Sequence, residues 1–207
     1  MKSPAKVLVV PEVARDASRK LARYVAELDA RKLPDAAVHA FRRALLDYLT
    51  CAVAGSGTDA ARMVLDYLQS WDQSKEASVI GTSHRLSAQN AAFVNGAATH
   101  GLDFDDGMTR GSVHPGGSVF SALLAMAEKL GSSADDLIAA GVAGYDVTLR
   151  IAATVHPHTS RRGFHNTPTA GVFGAAAAAS RLMRLNAEQT LNALGLAGSF
   201  SGGLRAY

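Results

Sequence analysis

Apolar side chains recur at three- and four-residue intervals along almost the whole chain. Leu21, Val25 and Leu28 form one stripe, and Val38, Phe41, Leu45, Tyr48 and Ala52 form a second. That spacing places each set on one face of an α-helix. Pro34 stands where it opens the second helix, since its fixed φ suits the first turn, and Gly55 stands where it closes it. Met63, Val64, Tyr67, Leu68 and Trp71 mark the buried face of a third helix. Ala77 to Gly81 (ASVIG) is the one β-like run of note before residue 100, and one strand does not make a sheet.

The pattern continues to the end of the chain. Ser87 is placed to cap a helix through AAFVNGAAT, and a helix from about Ser118 to Leu130 ends at Gly131, a natural C-cap. Ser133 opens the next, with Asp136 in the capping-box position. That helix is apolar nearly all round except at Asp146 and Arg150, which stand at i,i+4 as a structural pair. Ala170 to Ser180 is built from small residues that let helices approach closely, and a last helix starts near Asn186. With no repeat of fixed period and no linker, the expectation is an all-α, continuous multi-helical array over 1–207 without an internal boundary.

Composition narrows the function classes. With 207 residues and 48% hydrophobic content the chain can bury a real core. A single cysteine, Cys51, excludes a disulfide framework and a multi-thiolate zinc site, and fits a reducing compartment. The apolar run Val7 to Val10 is closed by Pro11 and is too short for a signal peptide. Thr167 to Ser180, the longest weakly polar run, is interrupted by Pro168, so no membrane segment and a cytoplasmic location are expected. The net charge of +3 comes from dispersed Lys and Arg without a basic stripe, which argues against nucleic acid as a partner.

Chemistry concentrates in HGLDFDDGMTRGSVHPGG, His100 to Gly117, a polar stretch between two apolar helices. Asp103, Asp105 and Asp106 resemble the start of a calcium loop, but Gly107 falls one place early and His114 stands where a bidentate Glu belongs. His100, Asp103 and His114, at spacings of 3 and 11, match no recognised zinc or iron pattern, so no metal and no cofactor are expected. A carboxylate beside a histidine needs neither: it orients the ring and tunes it for general acid or base work near neutral pH. A second such loop, His156 to Gly171, ends at a helix start, where free N–H groups favour anions. His39, His84, His156 and His158 read as solvated or structural. His114 and His165 stand beside glycine, proline and small residues that let a substrate approach.

These motifs carry a resemblance. NGAATHGLDFDDG, VHPGGSVFSALLAMAEKLG, GYDVTLRIA, RRGFHNTPTAGVFGAAAAA and ALGLAGSFSGGLRAY, in this order and spacing, resemble the MmgE/PrpD family, which includes 2-methylcitrate dehydratase and cis-aconitate decarboxylase. The resemblance implies the helical large domain, followed in the family by a lysine-bearing segment and an α+β lid that lie beyond GGLRAY. It also implies homodimers and metal-independent chemistry on small di- or tricarboxylic acids. By position, Asp103, His114 and His165 are the implied catalytic residues, and Thr109 and Arg162 are the expected substrate contacts. Gly107 stands where relatives carry a threonine after DFDD, which removes a hydroxyl that Thr109 would have to replace.

The implied function is a carboxylic-acid lyase of the 2-methylcitrate dehydratase type, abstracting a proton α to a carboxylate. The alternatives are an isomerase or epimerase, a decarboxylase, and a non-catalytic subunit. Without the lysine and lid, the chain is expected to be inactive alone and to form homo-oligomers or take a complementing polypeptide.

Overall fold

The structure, a computed structural model, describes residues 12–205. Among these it is all-α: nine α-helices, one 3-10 turn (Ala30–Lys32) and one hairpin of two two-residue strands. The helices are α1 (Glu12–Glu27), α2 (Asp35–Gly55), α3 (Asp59–Gln69), α4 (Ala88–His100), α5 (Pro115–Leu130), α6 (Ala134–Val155), the single turn α7 (His158–Arg161), α8 (Asn166–Leu182) and α9 (Ala187–Phe200). The Val7 to Val10 run lies outside the described residues.

The capping signals explain several boundaries. Asn186 and Gln189 form a reciprocal capping box at the start of α9, and the Ser133 hydroxyl accepts the Asp136 N–H at the start of α6. Gly131 closes α5 in the left-handed conformation, at φ 62°, as expected of a C-cap glycine. Pro34 sits just before the first residue of α2.

Helices α5, α6 and α8 form the centre, with α8 packed against both of the others. Small residues make this possible. Gly144 of α6 and Gly174 of α8 face each other so closely that a Cβ on Gly174 would come within 2.6 Å of the Gly144 carbonyl oxygen. Outside this seam the core is filled by larger groups. Phe120 of α5 meets Phe41 and Tyr48 of α2 and Tyr145 of α6, with ring centroids 5.6, 5.3 and 5.1 Å away. The tilted arrangement avoids face-to-face repulsion, and each buried ring contributes roughly 1.5–3 kcal/mol by leaving water.

Helix α6, 22 residues with a mean hydropathy of 1.3, is long and apolar enough to cross a bilayer by length and composition. Its apolar character is used inside the protein, where it contacts α8, α5, α2 and α1. Asp146 and Arg150 pair on it at 2.9 Å, as the i,i+4 order predicts.

Four local expectations are corrected. Helix α3 forms, but it buries Ala61, Leu65 and Leu68, while Met63, Tyr67 and Trp71 are exposed along another face. The helix carries two apolar stripes, and its packing against α4 selects one. Gly55 is the last residue of α2 and not its cap; a Cβ there would meet the Ala98 backbone, so glycine serves the crossing of α2 and α4. ASVIG contributes β1 (Ala77–Ser78), which pairs antiparallel with β2 (Arg85–Leu86) in a minimal hairpin.

Ser87 precedes α4 but makes no side-chain cap bond. Its hydroxyl instead donates to Asp72, 2.7 Å away. Asp72 is buried and also accepts N–H bonds from Ser87, Ser74 and Asn90. These bonds, the Ser87 hydroxyl first, hold its carboxyl well below the usual carboxylate range. A depressed folded-state pKa adds stability that is complete above the unfolded value and is lost as pH falls through the folded one. Asp72→Ala is therefore expected to lower Tm at neutral pH. The gap to the parent should shrink as thermal melts are repeated below about pH 4.

Candidate active site

Two loops build the site, and each ends at the start of a central helix. The first runs from the end of α4 at His100 to His114, the residue before α5. Asp103 adopts φ 50°, which reverses the chain, and Met108 and Val113 pair as an isolated bridge. The buried side of the loop is anchored by Asp106. Its carboxylate accepts the Gly116 N–H at 2.9 Å and the Tyr145 hydroxyl at 3.1 Å, and its own N–H donates to Asp47. Burial pushes the Asp106 carboxyl up, partly offset by the Gly116 and Tyr145 bonds. Gly116 has no side chain because a Cβ would sit 2.6 Å from that carboxylate.

Asp105 organises the histidines. Its side chain is 1% exposed, against 81% for Asp103. His100 Nδ1 donates to its carboxylate at 3.0 Å, and His114 Nδ1 donates to its backbone carbonyl at 3.1 Å. A carbonyl can only accept, so His114 carries its Nδ1 proton there and directs Nε2 away. Nε2 lies 4.0 Å from Asp103 Oδ1. The His100 ring centroid is 5.3 Å from that of His114 and 6.0 Å from that of His165. The Asp105 bond raises the pKa of His100. Burial lowers that of His165, with His100, His114 and Arg205 adding repulsion, so its ring favours the neutral, proton-accepting form.

The second loop is α7 and the residues before α8, where His165 takes the N-cap position. Asn166 ties the loops together by donating to the Gly111 carbonyl at 2.7 Å, and Thr167 accepts the His114 N–H at 3.0 Å. After α9 the chain returns across this loop. His165 N–H donates to Gly203, Arg205 N–H donates to Gly163, and Phe164 pairs with Leu204.

The result is a cavity of about 570 Å³ lined by His100, Asp103, Thr109, His114, His165 and Arg205, among others. It contains the three implied catalytic residues and Thr109. Arg162, expected as a substrate contact, is exposed and outside the lining, where Arg205 supplies the guanidinium. A Cβ on Gly107 would lie 3.7 Å from the His114 ring, an ordinary contact, so the backbone there leaves room for a Cβ.

From the sequence, His100 enters only as a metal ligand and Asp105 only as part of a calcium-like acidic run, neither with a role in catalysis. The signal was present in His100 and Asp105 flanking Asp103. The buried acid, however, can be told from the exposed one only in three dimensions. His156 is structural, as expected, within reach of Ser160 and Asn166.

The model of the MmgE/PrpD N-terminal domain matches residues 19–207. The chain belongs to the MmgE/PrpD family. Among curated relatives of this MmgE/PrpD chain, cis-aconitate decarboxylase-like protein oryM of Aspergillus oryzae is 29% identical over 195 residues, covering 90% of this chain and 40% of the relative. Cis-aconitate decarboxylase of Mus musculus is 32% identical over 186 residues, covering 84% and 37%. That of Homo sapiens is 32% identical over 176 residues, covering 82% and 36%. The chain thus spans about two fifths of the length of the curated relatives it matches.

Proposed function

We propose that this chain carries the proton-transfer site of a lyase acting on small di- or tricarboxylic acids. The observation that carries the reading is the convergence of three imidazoles and the Asp103 carboxylate, from loops some 50 residues apart, on one cavity of about 570 Å³, with Asp105 buried behind His100. That volume suits a citrate-sized molecule. His165, with its lowered pKa, takes the α proton. The electron pair left on carbon forms the new double bond, and the β-hydroxyl departs with a proton from His114, whose orientation Asp105 fixes. Arg205 and Thr109 face the substrate carboxylates.

A second reading is decarboxylation, favoured by the names of the relatives. There the bond to a carboxylate breaks, CO₂ leaves, and an imidazolium protonates the carbon that receives the electron pair. Both readings share proton exchange at carbon.

The test is incubation in D₂O with 2-methylcitrate and with cis-aconitate, followed by NMR and CO₂ release. It is run on the chain alone and with a polypeptide supplying the remainder of a relative's length. Deuterium at carbon is expected in at least one arm, with water loss marking the dehydratase and CO₂ the decarboxylase. No exchange and no product in any arm would leave the non-catalytic alternative.

A further inference from the structure

We propose that the histidine–aspartate cluster in one wall of this cavity, with Asp105 buried behind it, also binds a divalent transition cation, best Zn²⁺, through His100, Asp103, Asp105 and His114. Sequence spacing argued against a metal, because 100, 103 and 114 match no familiar pattern. The fold replaces spacing with a tight reversal at Asp103 and adds Asp105 as a fourth donor. One ligand-capable atom from each of the four residues lies within 4.8 Å of all the others.

A four-coordinate ion with bonds of about 2.0–2.2 Å needs its ligand atoms roughly 3.3–3.6 Å apart. Two pairs already bracket that span: His100 Nδ1 to Asp105 Oδ1 at 3.0 Å, where the ion takes the place of the Nδ1 proton and releases it to solvent, and His114 Nε2 to Asp103 Oδ1 at 4.0 Å. The remaining closure falls to Asp103, whose exposed carboxylate is free of packing constraints. Asp105 is the opposite, a buried donor that cannot turn away. Two imidazoles with two carboxylates suit Zn²⁺, Co²⁺ or Cu²⁺. Mg²⁺ and Ca²⁺ prefer all-oxygen sets.

Binding stands on this geometry alone. Its consequence rests on the proposed function: an ion at these atoms occupies the His114 ring and the Asp103 carboxylate, so it inhibits the reaction by competing with substrate.

The test uses metal-stripped chain titrated with Zn²⁺ by calorimetry and with Co²⁺ by visible absorption, with Mg²⁺ as comparison. One Zn²⁺ per chain is expected, Co²⁺ should give the intense bands of low-coordinate geometry, and Mg²⁺ should give no heat. The paired change His100→Gln with His114→Gln should weaken Zn²⁺ at least about 100-fold, since changes in the outer shell alone cost about 10- to 100-fold. Asp103→Asn, on the exposed side, should fold normally and alter the Co²⁺ spectrum. The exposed His39, His84 and His158, all changed to Gln, should leave binding intact. Affinity that survives the first pair of changes, or is lost with the surface histidines, overturns the site. A protein that binds Zn²⁺ as described but shows no turnover would retain the site and lose only the inhibition.

Discussion

Gly174→Val should abolish folding. A Cβ at Gly174 would overlap the Thr148 hydroxyl, approach the Gly144 carbonyl oxygen to 2.6 Å and Val119 Cγ2 to 2.9 Å. Two of those three obstacles belong to α6 and one to α5, so relief requires α8 to separate from the centre of the molecule. Ordinary overpacking costs about 1–3 kcal/mol, and a clash with backbone on a neighbouring helix exceeds it. A loss beyond about 4 kcal/mol is a large share of the roughly 5–15 kcal/mol that stabilises a typical domain. Circular dichroism melts should show no cooperative transition for the variant. Gly195→Ala is the matched comparison: it lies in α9 with open space around it, and it should raise stability by up to about 1 kcal/mol through helix propensity.

His165→Gln should lower α-proton exchange by about 100- to 10,000-fold, the range a positioned general base supplies. Glutamine keeps much of the ring's size and a hydrogen-bonding group but takes no proton near neutral pH. The backbone N–H of residue 165 still reaches Gly203, so the loop should hold its place and substrate binding should change little. The loss is expected in kcat and not in KM, which separates a chemical role from a binding one. Asp105→Asn should lose activity for a different reason. An amide in place of the carboxylate no longer favours the charged form of His100, so a ring that remains present loses its tuning, while the backbone carbonyl of residue 105 still holds His114. His39→Gln, on exposed α2 surface, should leave exchange unchanged.

How much of this was legible in the sequence depended on the range of the interaction. Boundaries set by one turn of chain were readable: Gly131 and Ser133 cap the helices they were expected to cap, and the last helix starts at Asn186, where its beginning was expected. The Asp146 and Arg150 pair, one turn apart, formed as their order predicts. Choices made by a partner element were not readable. Met63, Tyr67 and Trp71 have the right period to be core and are exposed, because α4 meets the other side of α3. Gly55 looked like a helix stop and is a crossing point.

The site follows the same rule. Asp103, His114 and His165 were identified through resemblance, and they share a cavity. The division of labour between Asp103 and Asp105, two residues apart, required knowing which of them the fold buries. That Arg205 lines the cavity and Arg162 does not depends on the chain after α9 crossing the His165 loop.

That crossing sets an order of events during synthesis. A polypeptide folds from its N-terminal end as it leaves the ribosome. The loop bearing His100 and His114 therefore emerges first, the His165 loop about 50 residues later, and Gly203 with its bond to His165 almost 40 residues after that. Until the segment after α9 clears the exit tunnel, the backbone N–H of residue 165 has no partner at Gly203. A nascent chain bearing all three histidines thus has both loops but still lacks the contact that ties the second of them to the segment after α9.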